Sequence, residues 1–300
     1  MLRSIPLLLS ATFACTPTIT HAAAAPITIP FEQDKDHRIY VRGTINQSPP
    51  LRFLLDTGAD GLAVSRANQQ RASLTVDDHS ENTGADGVSI LEYSTHNQVR
   101  IGGVQRHMGA VLVDYQNRPF DAVVGWMFFA GKIVEINHDS GMLILHAQLP
   151  ELVGYSSANV RWIDNTPAVE VIVGEGNAMH SAWLTLDTGS NGTLDFNHDF
   201  SAGHQLQQVF TRKVGTSRFT GSAGRVVRTV DVRIPSARVA GLSLGQPRAS
   251  IAIDEDGASG DGTLGAETLR QFNLLLDTRT GAVYLRPNRL AEEAPSPASP

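Results

Sequence analysis

Cysteine is almost missing from this chain. One residue in 300, Cys15, carries a thiol, so no intramolecular disulfide can form and burial alone must hold the fold. Basic charge is also scarce. Lys and Arg total 24 against 30 Asp and Glu, for a net charge of -6, and the cations are scattered, so no footprint for nucleic acid exists. The 10 histidines show no paired ligand spacing, which excludes a recognisable metal site and leaves no cofactor to expect. Aromatics are few, at 6%, and charged residues reach only 18%. With 41% hydrophobic residues the composition is nonetheless that of a globular chain able to bury one or two cores. The longest apolar stretch, Ile5 to Ala14, is too short to cross a bilayer.

That stretch follows Arg3 and precedes the small residues of His21-Ala22-Ala23-Ala24-Ala25, the pattern of a cleaved export signal over residues 1–25. The expected location is periplasmic or secreted. A lipoprotein anchored through Cys15 is the alternative, although Thr12-Phe13-Ala14 lacks the leucine such signals place three residues upstream.

Two Asp-Thr-Gly triplets, at Asp56 and Asp187, each close an apolar strand. An offset of 131 residues carries the first to the second, and also Val41 to Ile172, Gly43 to Gly174 and Asn46 to Asn177. Later the offset becomes 140, taking Asp114 to Asp254, Asp121 to Asp261, Gly125 to Gly265 and Gly141 to Gly281. Between these blocks, Thr83-Gly84-Ala85-Asp86-Gly87 precedes Thr220-Gly221-Ser222-Ala223-Gly224 by 137. One triplet is a weak motif; two in register within an internal repeat are a strong one.

Apolar residues alternate with period two far more often than 3.6, and Gly, Asn, Asp and Pro punctuate the runs. The expected fold is all-β, with short helices only at Trp126 to Lys132 and Ala266 to Phe272. It divides into an N-terminal lobe at 26–150, a C-terminal lobe at 151–287 and a disordered tail at 288–300.

The sequence resembles the aspartic proteases. LLDTGADG (54–61) and TLDTGSNG (185–192) are similar to the family's catalytic loops, and each lobe then carries two apolar residues and a glycine, followed by a short helix and a hairpin (120–145 and 260–285). The single-chain, retropepsin-like members are the nearest in pattern. The resemblance implies two similar β-barrel-like lobes related by a pseudo-two-fold, one cleft between them, and a monomer whose only partner is a polypeptide substrate. It implies that Asp56 and Asp187 form the catalytic pair, braced by the apolar-apolar-Gly segments. Thr57 and Thr188 would reach across the lobe interface with their hydroxyls.

Chemistry explains why the acids come in twos. Peptide hydrolysis without a covalent intermediate needs one group to accept a proton from water and another to give one to the carbonyl oxygen. Two carboxyls in contact cannot both ionise and so hold one proton between them. Gly58 and Gly189 let backbone N–H groups approach the carboxylates. Ser190 can donate a hydroxyl to the carboxylate of its own triplet while Ala59 cannot, which predicts a pair less acidic than one with two such donors. Gly84, Gly87, Gly221 and Gly224 mark two hairpin tips read as flaps over the cleft, or as plain surface turns.

Rival signals are weaker. Gly241-Leu242-Ser243-Leu244-Gly245 fits a serine nucleophile pattern but leads into Gln246-Pro247 and a strand, where an elbow must open a helix. Asp254-Glu255-Asp256-Gly257 lacks the ligand and turn glycine of a calcium loop. Two function classes stay open: an exported aspartic endopeptidase, and an inert peptide-binding protein on the same fold.

Overall fold

The computed structural model describes residues 25–116 and 118–293. Residues 1–24, with most of the expected signal and Cys15, and residues 294–300 lie outside them. The chain is all-β, and its strands form three sheets: one of eight strands from the N-terminal half, one of ten from the C-terminal half, and one of six drawn from both.

The same arrangement positions each triplet. Leu51–Asp56 runs parallel to Ala122–Gly125, placing Asp56 beside Gly125, and His180–Asp187 runs parallel to Gly262–Gly265, placing Asp187 beside Gly265. Each segment that the sequence reads as apolar-apolar-Gly therefore lies against the strand that ends in an acid, although the second, Thr263-Leu264-Gly265, begins with a polar residue. Repeated side-chain bonds fix both registers. The carboxylate of Asp121 accepts the Arg52 N–H at 2.8 Å, and that of Asp261 accepts the Trp183 N–H at 2.7 Å. The two sequence offsets thus meet in one repeated structural unit.

The six-stranded sheet joins the halves. Ile133–Asn137 pairs antiparallel with Phe272–Asp277, setting Ile136 opposite Leu274 and Val134 opposite Leu276. All six residues of Phe272–Asp277 are buried, as is Ile133 to Ile136. Both are near-continuous apolar runs, which suits strands covered on both faces. A single buried cluster extends from Ile29 through this sheet to Leu285.

Several elements depart from expectation. The helices after the repeated glycines are single turns, Trp126–Phe129 and Ala266–Leu269, because Phe272 already belongs to the junction strand. Two more, His198–Gly203 and Leu206–Val209, lie at a point where the N-terminal half has only the turn Arg66–Asn68. The hairpin arms Asp78–Gly84 and Lys213–Thr220 are strands without a legible apolar alternation. Most of their side chains are exposed, so backbone pairing does most of the holding. The tail is ordered further than expected: Arg289–Glu293 forms a helical turn. It starts from Asn288, buried at 2%, whose amide donates to the Arg270 carbonyl at 2.7 Å and whose carboxamide oxygen accepts the Leu290 N–H at 3.0 Å. A polar residue tied down in this way leaves the start of the tail little freedom.

The junction predicts a stability effect. Ile136→Ala deletes a side chain that is 1% exposed and packed across the two halves. It should lower unfolding free energy by about 2–5 kcal/mol, read as a lower urea midpoint.

Candidate active site

The two triplets meet. Reciprocal bonds hold them: the Thr57 hydroxyl donates to the Leu186 carbonyl at 2.7 Å, and the Thr188 hydroxyl donates to the Leu55 carbonyl at 2.7 Å. Each hydroxyl oxygen also accepts the other threonine's backbone N–H, at 3.1 and 3.2 Å. Both threonines are buried, at 4% and 1% exposure. Four bonds thus join residues that the repeat relates to one another.

This clasp brings the carboxyls of Asp56 and Asp187 into hydrogen-bond contact. Each strand that ends in an acid turns sharply at its glycine, and the backbone then points N–H groups back at the acid. Gly58 N–H donates to Asp56 at 2.8 Å; Gly189 and Ser190 N–H groups both donate to Asp187 at 2.8 Å. The glycines have a further role that reading each triplet separately does not reveal. A Cβ on Gly58 would stand 2.8 Å from the Cγ of Asp187, and one on Gly189 would collide with the carboxyl of Asp56. Each glycine makes room for the acid of the other triplet.

Both acids keep some exposure to the cleft, yet protein atoms pack round them deeply. Asp56 is pushed well above the ordinary carboxyl range, first by desolvation, then by the charge of Asp187 and the hydrogen bond between the two. Desolvation also raises Asp187, but its bonds from Asp56, Ser190 and Gly189 oppose the rise. The pair therefore shares one proton, and its titration belongs to both acids together.

Ser190 departs from the expected geometry. Its backbone N–H supports Asp187, but its hydroxyl accepts the Gly192 N–H at 3.1 Å and donates to a third acid, Asp195. Ala59, its counterpart, likewise gives Asp56 a backbone N–H. The contrast between serine and alanine at this place thus does not set the acidity of the pair; burial does.

A cavity of about 2140 Å³ opens above the carboxyls and reaches both hairpin tips, with Gly84, Gly221 and Gly224 on its wall. The tips touch each other. Asp86, fully buried, accepts the N–H groups of Ala223 at 3.0 Å and Arg225 at 2.8 Å, and Asn82 donates to the Ser222 hydroxyl at 2.8 Å. Asp86 and Ala223 are again repeat-related positions. Gly87, with φ of +110°, is not on the cavity wall but packs against Arg225 and Asp256. The tips were legible from their glycines; the aspartate that ties them was not, because Asp86 reads as an ordinary turn residue. Tyr115 is another cleft residue without a sequence signal. It packs edge-on to Phe120 at 5.0 Å and lies close enough to Asp56 for that charge to raise its hydroxyl pKa further than burial already does.

Residues 41–128 match the family model described as aspartyl protease. They are an aspartyl protease domain. No curated protein matches the chain. The matched domain contains Asp56 and Asp86, while Asp187 and Ala223 lie beyond it. The rival serine has no elbow: Ser243 ends a two-residue strand and accepts the Gly245 N–H at 3.2 Å. Among the described residues no three His, Cys, Asp or Glu side chains group as a metal site.

Two outcomes follow from this geometry. An aspartate whose folded pKa exceeds its unfolded value near 3.9 binds protons more tightly when folded, so its contribution to stability falls as pH rises from about 4 toward the folded value. Asp56→Asn should therefore raise the Tm relative to the parent, with a gain that is larger at pH 7 than at pH 4. Asp86→Ala removes two charge-assisted bonds, and the Ala223 and Arg225 amides should exchange with deuterium about tenfold faster or more.

Proposed function

We propose that this chain is an exported aspartic endopeptidase, active as a monomer, that hydrolyses peptide bonds with Asp56 and Asp187 as one catalytic unit. The contact between the two carboxyls is the observation that carries this reading. The protease assignment of residues 41–128 supports it. Two lobes, 26–150 and 151–287, would each supply one acid across a pseudo-two-fold that runs between the clasped threonines and between the hairpin tips.

In this mechanism a water molecule stands between the acids and the scissile carbonyl. The Asp187 carboxylate accepts a proton from water as its oxygen attacks the carbonyl carbon, and Asp56 gives its proton to the carbonyl oxygen. The product is a neutral tetrahedral diol, and Asp187 is now the protonated partner. Collapse returns the pair to its starting state: one diol hydroxyl loses its proton as the C–N bond breaks, and the leaving nitrogen gains one. Backbone N–H groups at both acids support the charge of the pair, and burial keeps its shared proton bound to higher pH than in an ordinary carboxyl.

The tips, tied through Asp86, are proposed as two lids that must part for a polypeptide to enter and then close over it, turning on Gly87 and Gly224, both of which have positive φ. Closure over the substrate would exclude water from the carboxyls. Periplasmic or secreted location rests on the N-terminal residues alone.

The decisive experiment is casein cleavage by the purified chain. Pepstatin should inhibit it, and Asp56→Asn and Asp187→Asn should each lower kcat by about 10³ or more while leaving the fold intact by circular dichroism. Activity that survives both substitutions would refute the assignment.

A further inference from the structure

The repeat allows the two walls of the cleft to be compared position by position, and they differ in chemistry. On the N-terminal sheet, the cross-strand row two residues before Asp56 runs Tyr93, Val111, Ala63, Val123, Leu54. It is apolar, and Leu54 and Val123 pack with Phe120, Tyr115 and Ala63 into a small separate cluster. On the C-terminal sheet, the row two residues before Asp187 runs Asp231, Ser250, Asp195, Thr263, Thr185. Every side chain in that row is polar. Register partners share a face, so each row lies on the same side of its sheet as the acid it accompanies. Leu54, Ala63, Val111 and Val123 line one side of the cavity; Thr185, Asp195, Ser250 and Thr263 line the other. Ala63 and Asp195 are the matching central positions, each second in its short strand and paired with the strand of the apolar-apolar-Gly segment.

Asp195 is the exceptional member. The Ser190 hydroxyl bonds to it and Ser250 lies beside it, but the charged groups around it include two of its own sign, Asp187 and Asp231. Arg248 is engaged by Asp231 at 2.6 Å, and Asp231 also accepts the Ser217 and Ser250 hydroxyls at 2.6 and 3.0 Å. Among the described residues no Lys, Arg or His forms an ion pair with Asp195. A carboxyl walled in by protein with no counter-charge is costly when ionised, and its pKa accordingly rises to about 6, first through burial. A cation brought by a ligand would relieve that cost.

We propose that Asp195 is a specificity-determining residue, binding a Lys or Arg side chain of the substrate on the Asp187 side of the scissile bond while the apolar row receives an apolar side chain on the Asp56 side. This inference rests on the reading of the cleft as a peptide-cleaving site. It differs from a purely structural role for Asp195, which would stabilise the strand without discriminating among peptides.

The test uses two peptides that are identical except for Lys or norleucine at the position adjoining an apolar residue across the bond, with both orders synthesised. In one order the unaltered chain should cleave the Lys peptide at about tenfold or greater kcat/KM, the effect of one charge-assisted bond. That ratio should grow between pH 5 and pH 7 as Asp195 ionises, a readout that needs no variant. Asp195→Asn should bring the ratio toward one. Equal cleavage of both peptides in both orders, or a ratio that neither pH nor Asp195→Asn changes, would overturn the proposal while leaving peptide hydrolysis established. If neither peptide is cut, peptide hydrolysis fails instead. Calorimetric binding of the same pair with reduced amide bonds then decides the pocket: tighter binding of the Lys peptide, lost in Asp195→Asn, supports it, and equal binding overturns it.

Discussion

Everything in this structure is arranged round two carboxyls forced into contact where water solvates them poorly. Left alone, such a pair would separate or draw in a cation. The clasp of Thr57 and Thr188 prevents separation, since each hydroxyl is committed to a carbonyl of the other strand while its oxygen accepts the other's N–H. The glycines at 58 and 189 then leave room for the acid of the other triplet, where a Cβ would collide with it. The remaining repulsion is met with a proton that the pair shares, while backbone N–H groups support both acids, Gly58 and Ala59 at Asp56 and Gly189 and Ser190 at Asp187.

Such a pair is a local instability, and the sheets supply what offsets it. The strands ending in Asp56 and Asp187 are central in their sheets, and the apolar-apolar-Gly segments brace them from the side. Behind the pair, the six-stranded sheet binds the halves with strands that are buried throughout. The floor of the cleft is thereby rigid. Its roof is built differently, from hairpins whose arms expose most of their side chains and whose tips hold together through Asp86. Few apolar contacts would be lost if the tips parted, so motion is placed at the roof and precision at the floor.

Much of the floor was legible in the sequence because it is doubly encoded. The triplets, the glycines at 125 and 265 and the aspartates at 121 and 261 recur at fixed offsets, and their structural bonds recur with them. The hairpin arms were not legible, because strands wet on both faces leave no period-two signal. Asp86 and Asp195 escaped notice for a related reason. Each breaks the repeat, facing Ala223 and matching Ala63, and a departure from a pattern carries meaning only when the neighbouring strands are known. The hydroxyl of Ser190 was misplaced because nothing in the triplet discloses a third acid within its reach. Export rests on residues outside those described.

The claim that one proton is shared in a desolvated pair can be measured without substrate. Carbon-13 labelling of the aspartate carboxyls, followed by NMR across pH, should show Asp56 and Asp187 titrating together in two macroscopic steps, the upper one well above the ordinary carboxyl range. Two independent single-step titrations near 3.9 would contradict the account.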